Sequence, residues 1–328
     1  MSMTGKKYAV GIDLGGTSIK YALIDEDGEF RSAGKLPSMA DVSAEAVIGQ
    51  ILQAVAESEK AVEGLCLDGI AGIGIGTPGI VENGTVIGGA ENIVGWKDVE
   101  LARIIREKTG YEVTVENDAN MMGLGETLYG AGKGASDVVF ITVGTGIGGA
   151  VVIGGRLFTG YRGRGTELGH VPILADGEQC ACGSRGCLEH YASASALVRS
   201  YIERLSGREA GNCHEQIDGR HIMDLCRKGD PLALECLNRH CELLGQGIAG
   251  FINIFSPQLV VIGGGLADAG EFYISRVREK AFLHAMPECA VNTEIRGAVL
   301  GNRAGCAGAA ATVFQSLSDR PEQQTDRS

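Results

Sequence analysis

Proline is scarce, 7 residues in 328, and glycine shows no three-residue period. Together these exclude a collagen-like rod. Basic residues are outnumbered, 29 Lys and Arg against 41 Asp and Glu, for a net charge of -12. No dense Lys/Arg run is present of the kind that neutralises phosphates in a nucleic-acid binder, although a patch could still assemble locally. The acidic balance fits a soluble protein that handles small molecules. No uninterrupted apolar run reaches the about 20 residues that a membrane span requires. Val138 to Gly155 is broken by the glycines from Gly144 to Gly149, and Leu243 to Ala267 by Gln246, Asn253, Pro257 and Gln258. A strand-like run begins within the first ten residues, which is not the shape of a secretory signal. The expectation is a cytoplasmic protein with neither a membrane nor a nucleic acid as partner.

Glycine is what the chain has in excess: 51 residues, more than twice the usual share of about 7%. Each glycine inside a helix costs about 1 kcal/mol relative to alanine, so a coiled coil or a long helical array is ruled out. Tight turns, close backbone approaches or ligand-cradling loops are implied instead. The hydrophobic fraction of 44% is enough for a core, and the length suits about two domains. Cysteine is divided. Cys66, Cys213, Cys226, Cys236, Cys241, Cys289 and Cys306 are scattered, as reduced thiols are, whereas Cys180, Cys182 and Cys187 crowd together. Scatter of this kind argues against a disulfide scaffold, and the crowding argues for a metal.

Along the chain, residues 8–13 read as a strand, LGGT as a turn and SIKYALID as a returning strand. Asp27-Gly28 is a turn signal that leads into a third strand. Asp41 to Lys60 carries apolar residues at helical spacing, and 70–76 is an apolar strand. A helix from Asp98 to Lys108 stops at Gly110. A short strand from Glu112 to Val115 leads into a helix from Asn117 to Tyr129. The pattern then restarts: Val138 to Val143 is a strand, GTGIGG a turn, Ala150 to Ile153 a return, and Gly154-Gly155 opens a hairpin to Phe158. Helices are expected near 193–206, 220–228 and 268–285, with a longer one starting at Asp230-Pro231, a favourable cap and first-turn pair. Gln258 to Ile262 is a strand ending in three glycines. Ala304 to Leu317 is a further helix, and Ser318 to Ser328 a polar disordered tail. Two meander-plus-helix units imply an internally duplicated α/β protein with a cleft between its halves.

The turn Gly144-Thr-Gly-Ile-Gly-Gly149 does not read as a dinucleotide fingerprint, because β-patterned AVVIGG follows it where a helix is needed. No GxxxxGK[ST] loop occurs either. What remains is a hairpin turn with bare backbone N–H groups, a nest for phosphate oxygens. Asp13-Leu-Gly15-Gly16-Thr17-Ser-Ile-Lys20 is the same device with an acid in front. Each alone is ordinary hairpin chemistry; one in each half favours a nucleotide gripped by both, with Asp13 placed to hold Mg²⁺. Cys180, Cys182 and Cys187 with His170 complete a tetrahedral zinc shell that leaves no open position, so the metal is expected to be structural. His190, at a helix start, suits packing better than ligation. Asn117-Asp118-Ala-Asn120 stands at a strand-to-helix junction, where capping and a general base are both open readings. Glu167 and Glu189 flank the zinc ligands, either as solvated loop residues or as partners of a polyhydroxylated sugar.

Taken together, DLGGTSIK (13–20), ENDAN (116–120), VGTGIGGA (143–150), ELGH…CACGSRGCLE (167–189) and VVIGGGLA (260–267) resemble the ROK family of repressors, open reading frames and sugar kinases on the actin-like ATPase fold, from Val10 to about Phe314. The resemblance implies a two-lobed, hexokinase-like and ribonuclease H-like α/β architecture. An N-terminal lobe would span 1–120 and take back the helix at about 304–317; a C-terminal lobe with the zinc insert would span 121–303. It implies ATP-dependent phosphorylation of a hexose at the 6-hydroxyl, glucose first, with Asp118 as base and a place in glycolysis. Asn117, Glu167, His170 and Glu189 would bind sugar hydroxyls, with Gly79, Asn92 and Gly146 lining the sugar. Asp13, Gly15, Gly16, Thr17, Lys20, Gly144 and Thr145 would serve the phosphates, and Gly263, Gly264 and Gly265 the nucleotide. ATP, Mg²⁺ and structural Zn²⁺ are the implied cofactors, and a homo-oligomer the implied assembly. An N-acetylmannosamine or N-acetylglucosamine kinase would share these motifs. A DNA-binding regulator of the family would need a helix-turn-helix before Asp13, and a sugar sensor without catalysis would not need Asp118.

Overall fold

A computed structural model of the chain describes residues 6–206 and 217–319; Cys213 and the expected tail beyond Asp319 lie outside the described residues. In chain order the elements begin with β1 (Tyr8–Leu14), β2 (Ser18–Asp25), β3 (Phe30–Pro37), α1 (Ala44–Leu65), β4 (Gly72–Thr77), β5 (Ile80–Glu82), β6 (Thr85–Gly88), α2 (Leu101–Thr109), β7 (Val113–Asn117) and α3 (Asp118–Tyr129). There follow β8 (Val138–Val143), β9 (Ile147–Ile153), β10 (Arg156–Leu157), α4 (Leu188–Ala192), α5 (Ala194–Ser206), α6 (Gly219–Arg227) and α7 (Pro231–Phe255). The rest are β11 (Leu259–Gly263), α8 (Glu271–His284), α9 (Pro287–Ala290), β12 (Glu294–Gly297) and α10 (Ala304–Ser318).

The described chain forms two compact units, one from residues 6–129, 159–165 and 302–319, the other from 130–158, 166–206 and 217–301. The first is built on a sheet of order β3-β2-β1-β4-β7, the second on a sheet of order β10-β9-β8-β11-β12. Each opens with an antiparallel meander and adds two parallel strands, β4 and β7 in one, β11 and β12 in the other. This repeated order is the duplicated, ribonuclease H-like α/β plan. The boundary expected at residue 120 would cut α3, which lies whole in the first unit; the segment 159–165 also belongs there, its Arg162 and Arg164 paired with buried Glu82.

In the first unit one face of the sheet packs on α1 and α2 through residues such as Ile12, Leu23, Ile51, Ile75 and Ile105. The single tryptophan, Trp96, is buried there and donates to the Thr77 hydroxyl at 2.8 Å. The other face carries α10, a helix of small residues, with Ala9, Ala22, Ile24, Cys306, Ala310 and Val313 in contact. The approach is at backbone distance. A Cβ on Gly11 would collide with the Cys306 carbonyl, one on Gly74 with the Ala309 carbonyl, and one on Gly308 with the Met121 carbonyl of α3. In the second unit α7 is the central helix, entered through the Asp230 cap on Ala233 N–H at 2.7 Å and buried among α4, α5, α6 and α8.

Three details depart from the periodicity. The second glycine turn is shorter than GTGIGG, because β9 already pairs at Ile147 with Val143, and Gly148 and Gly149 are strand residues. The β5–β6 hairpin and the edge strand β12 carry too few alternating apolar residues to register as strands. Ser318 is the last residue of α10 rather than the start of a tail.

The close approach of α10 yields a paired prediction. Gly74→Ala should destabilise the protein by about 3 kcal/mol or more, since overpacking against rigid backbone has no cheap relief. Gly49→Ala, on the exposed face of α1 with open space around it, should stabilise by about 0.5–1 kcal/mol. Urea denaturation of both variants checks the contrast.

Candidate functional site

In the first unit the parallel strands bring their C-terminal ends into one row. Asp13 on β1 is in register with Gly76 on β4, and Gly76 with Glu116 on β7. At about 4.8 Å between neighbouring strands, Asp13 and the β7–α3 junction stand about 10 Å apart. The C-terminal edge of parallel strands is where open α/β sheets bind ligands.

Asp13 is buried at 6% exposure. Burial raises its pKa, and Lys20, its cross-strand neighbour at 3.3 Å, opposes that rise. Gly305 near the start of α10 lies against it; a Cβ there would sit 2.7 Å from the Asp13 carboxyl carbon. The β1–β2 turn closes with Gly15 N–H donating to Ser18 C=O at 2.9 Å. Buried Ser38 holds the turn from outside, its hydroxyl donating to Gly16 C=O at 2.9 Å and its N–H to Thr17 C=O at 3.2 Å. Lys20 also donates to Asn302 at 3.1 Å. Ser38 and Asn302 escaped the sequence reading because each lies far along the chain from the turn it supports.

Asn92 lies against the same turn: a Cβ on Gly16 would be 2.9 Å from its amide nitrogen. Asn117 donates to Gly79 C=O at 3.0 Å and accepts from Ala119 N–H at 2.9 Å and Asn120 N–H at 3.3 Å. Asn117 thus shapes the start of α3 and fixes Gly79, which takes a φ of +95° that favours glycine. Asp118 accepts from Ala119 N–H at 2.8 Å. Glu116, whose pKa burial raises, braces the segment by accepting from Asn117 N–H at 2.8 Å and the Asn120 amide at 3.1 Å.

The second unit holds the other predicted residues. Its glycine turn closes tightly, Gly144 N–H donating to Gly146 C=O at 2.9 Å. Glu189 accepts from Ile147 N–H at 2.8 Å, and any side chain on Gly146 would strike its carboxylate. The residue is glycine because that carboxylate lies on the turn. Gly264, at the end of β11, packs its α-carbon against the Val143 carbonyl with a φ of +89°. The Gly263 to Gly265 loop is therefore beside the Gly144 to Gly146 turn, at the ends of adjacent parallel strands. Next to Thr145 opens a cavity of about 550 Å³ bounded by Ala194, Val198, Ile202, Ile217 and Asp218.

Gly169 lets the Leu168–His170 turn lie on β9, since a Cβ there would meet the Ile147 carbonyl. This brings Glu167 and His170 to the same hairpin as Glu189. The Glu167 carboxyl is raised by desolvation and by Glu189, with His170 opposing. His170 Nδ1 is 3.7 Å from Cys180 Sγ, Cys182 Sγ is 3.6 Å from Cys187 Sγ, and the four donor atoms all lie within 4.8 Å of one another. A tetrahedral site with zinc–sulfur bonds of about 2.3 Å has edges of about 3.8 Å, so the donor set fits zinc in number, type and spacing. His190 instead pairs with Glu178 at 2.8 Å.

The ROK family model matches residues 9–316. The chain belongs to the ROK family. A glucokinase of Thermotoga maritima is 38% identical over 317 residues, 94% of this chain and 98% of that one. A ROK glucokinase from Streptomyces griseus, solved with glucose and AMPPNP, superposes with a TM-score of 0.78 at 34% identity, covering 94% of this chain and 99% of that one. A ROK hexokinase from Thermus thermophilus gives a TM-score of 0.82 at 34% identity over 95% of this chain and all, 100%, of the other. The ROK sugar-kinase, phosphotransferase class and the actin-like ATPase fold follow. No helix among the described residues is long and apolar enough to cross a membrane.

Purified protein should carry about one zinc per chain after exhaustive dialysis, four protein ligands leaving no exchangeable position. Cys182→Ser should lower both the zinc content and the melting temperature; metal analysis and a thermal melt check each.

Proposed function

We propose that this ROK protein is an ATP-dependent glucokinase, transferring the γ-phosphoryl group of ATP to the 6-hydroxyl of glucose. The observation that carries it is the β7–α3 junction. Asn117 supplies a capping oxygen to both Ala119 and Asn120, and Asp118 shares only the first of these two donors. Asp118 stands at the strand edge, about 10 Å across the sheet from Asp13, where its carboxylate takes the role of general base. Asp118 takes the proton from the 6-hydroxyl, the hydroxyl oxygen bonds to the γ-phosphorus, and ADP leaves.

The other roles follow from the groups each unit presents. In the turns closed by Gly15 and Gly144, the backbone N–H groups of Gly16 and Thr17 and of Thr145 and Gly146 are the ones suited to phosphate oxygens. Asp13, held by Lys20, is the carboxylate suited to Mg²⁺, which neutralises charge on the transferring phosphates when bound. The Gly263 to Gly265 loop and the cavity beside Thr145 are suited to adenosine. Glu167, Glu189 and the Nε2 of His170 are hydroxyl partners for the sugar, along with Asn117, Asn92, Gly79 and Gly146. His170, Cys180, Cys182 and Cys187 would hold zinc, which would fix the orientation of the His170 ring and supply no step of the transfer. The same reading makes the chain a cytoplasmic enzyme of carbohydrate metabolism, acting in glycolysis as a homo-oligomer.

Asp118→Asn keeps the size and the local hydrogen-bonding capacity but not the basicity. It should cut kcat by about 10²–10⁴-fold while glucose binding, followed by calorimetry, is retained. Gly146→Ala pushes Glu189 aside and should raise the KM for sugar more than it lowers kcat. An ADP-coupled panel of glucose, N-acetylmannosamine and N-acetylglucosamine tests the substrate: glucose should lead, and turnover of neither glucose nor its analogues would sink the kinase reading.

A further inference from the structure

A second cavity in the second unit, about 220 Å³, is walled by α4, α5, α7 and the zinc loop. It is distinct in chemistry from the cavity beside Thr145. Three guanidinium side chains line it, Arg199 and Arg204 from α5 and Arg239 from α7, in a protein whose net charge is -12. Arg204 is neutralised by Glu235. Arg199 donates to the neutral His190 C=O at 2.6 Å, and neither it nor Arg239 forms an ion pair among the described residues. Two carboxylates share the lining: Glu178, paired with His190 at 2.8 Å, and Glu203.

The floor is a buried polar pair. His240, 3% exposed, lines the cavity and uses Nε2 on the Tyr273 hydroxyl at 2.8 Å. Its Nδ1 is buried without a hydrogen-bond partner among the described residues. We propose that this cavity is a binding site for a small phosphate-bearing anion, gripped by Arg199 and Arg239. Guanidinium forks match phosphate oxygens bidentately. The volume is below the about 300 Å³ at which pockets for drug-sized ligands begin, so the occupant is inorganic phosphate or a phosphomonoester of about three carbons.

The position makes it an effector site. Arg199 and Glu203 line both this cavity and the one beside Thr145, so α5 is a shared wall. His190 and Tyr191 of α4 follow Glu189 directly in sequence, and Tyr191 receives the Glu178 N–H at 2.5 Å from the zinc loop. An anion that draws in Arg199 acts on the wall facing the proposed adenosine cavity. This coupling rests on the kinase reading; the binding itself does not.

Calorimetry on substrate-free protein separates the two. Inorganic phosphate and glycerol 3-phosphate are titrated in separate arms, against chloride at matched ionic strength. Saturable binding in at least one phosphate arm is expected, and the tighter arm identifies the source. Arg239→Gln should weaken it about tenfold or more, and Glu203→Gln should tighten it by removing a like charge. Arg239→Gln should leave basal turnover unchanged, and the shift in KM for ATP that the anion causes in the wild type should vanish in it. No saturable heat in the wild type, or equal affinity in wild type and both variants, would overturn the site. Binding with no change in KM would overturn the coupling.

Discussion

The first unit depends on a contact between backbones. Where Gly11, Gly74 and Gly308 meet carbonyl groups of α10 and α3, no side chain intervenes, and helix and sheet are packed at a separation only glycine permits. That closeness carries Gly305 up to the Asp13 carboxyl and seats α3 so that Asp118 begins at the strand edge. Dispersion between peptide groups at such range, summed over the alanine-rich face of α10, replaces the larger side chains that the other face uses. The two faces of one sheet are therefore held by different means: branched aliphatics against α1 and α2, bare backbone against α10.

In the second unit the corresponding precision comes from a metal-suited loop and from carboxylate placement. Glu189 spans from α4 to the β8–β9 turn, and Gly169 lays the Leu168–His170 turn on β9. His170 belongs to both the donor cluster and the set of groups suited to a sugar. Ordering the loop and ordering the polar groups are then the same event.

The meanders, the long helices and the donor set at 170–187 were legible in the sequence because each rests on local periodicity or on close spacing. The family motifs also drew attention to Asp13 and Asp118, which the structure places at the C-terminal edge of one sheet. What could not be read were partners far apart in the chain. Ser38 bracing the first turn and Asn302 meeting Lys20 are tertiary contacts with no local signature. The short strands β5, β6 and β12 are stabilised by pairing rather than by pattern, and β9 began earlier than expected because Gly148 and Gly149 pair as strand residues where their sequence reads as turn. The glycine excess divides between turns, such as those at Gly15 and Gly144, and the close backbone approaches of Gly11, Gly74 and Gly308; the composition implied both kinds of use without saying which glycine serves which.

The chain path has a consequence for synthesis. The first unit draws on residues 6–129, on 159–165 and on 302–319, whereas the second is complete once residue 301 has been made. A ribosome delivers the β3-β2-β1-β4-β7 sheet early, yet α10, which covers one of its faces, only after the whole second unit. The nascent first sheet must wait with Ala9, Ala22 and Ile24 uncovered while its neighbour closes, reversing the usual order in which N-terminal domains fold first.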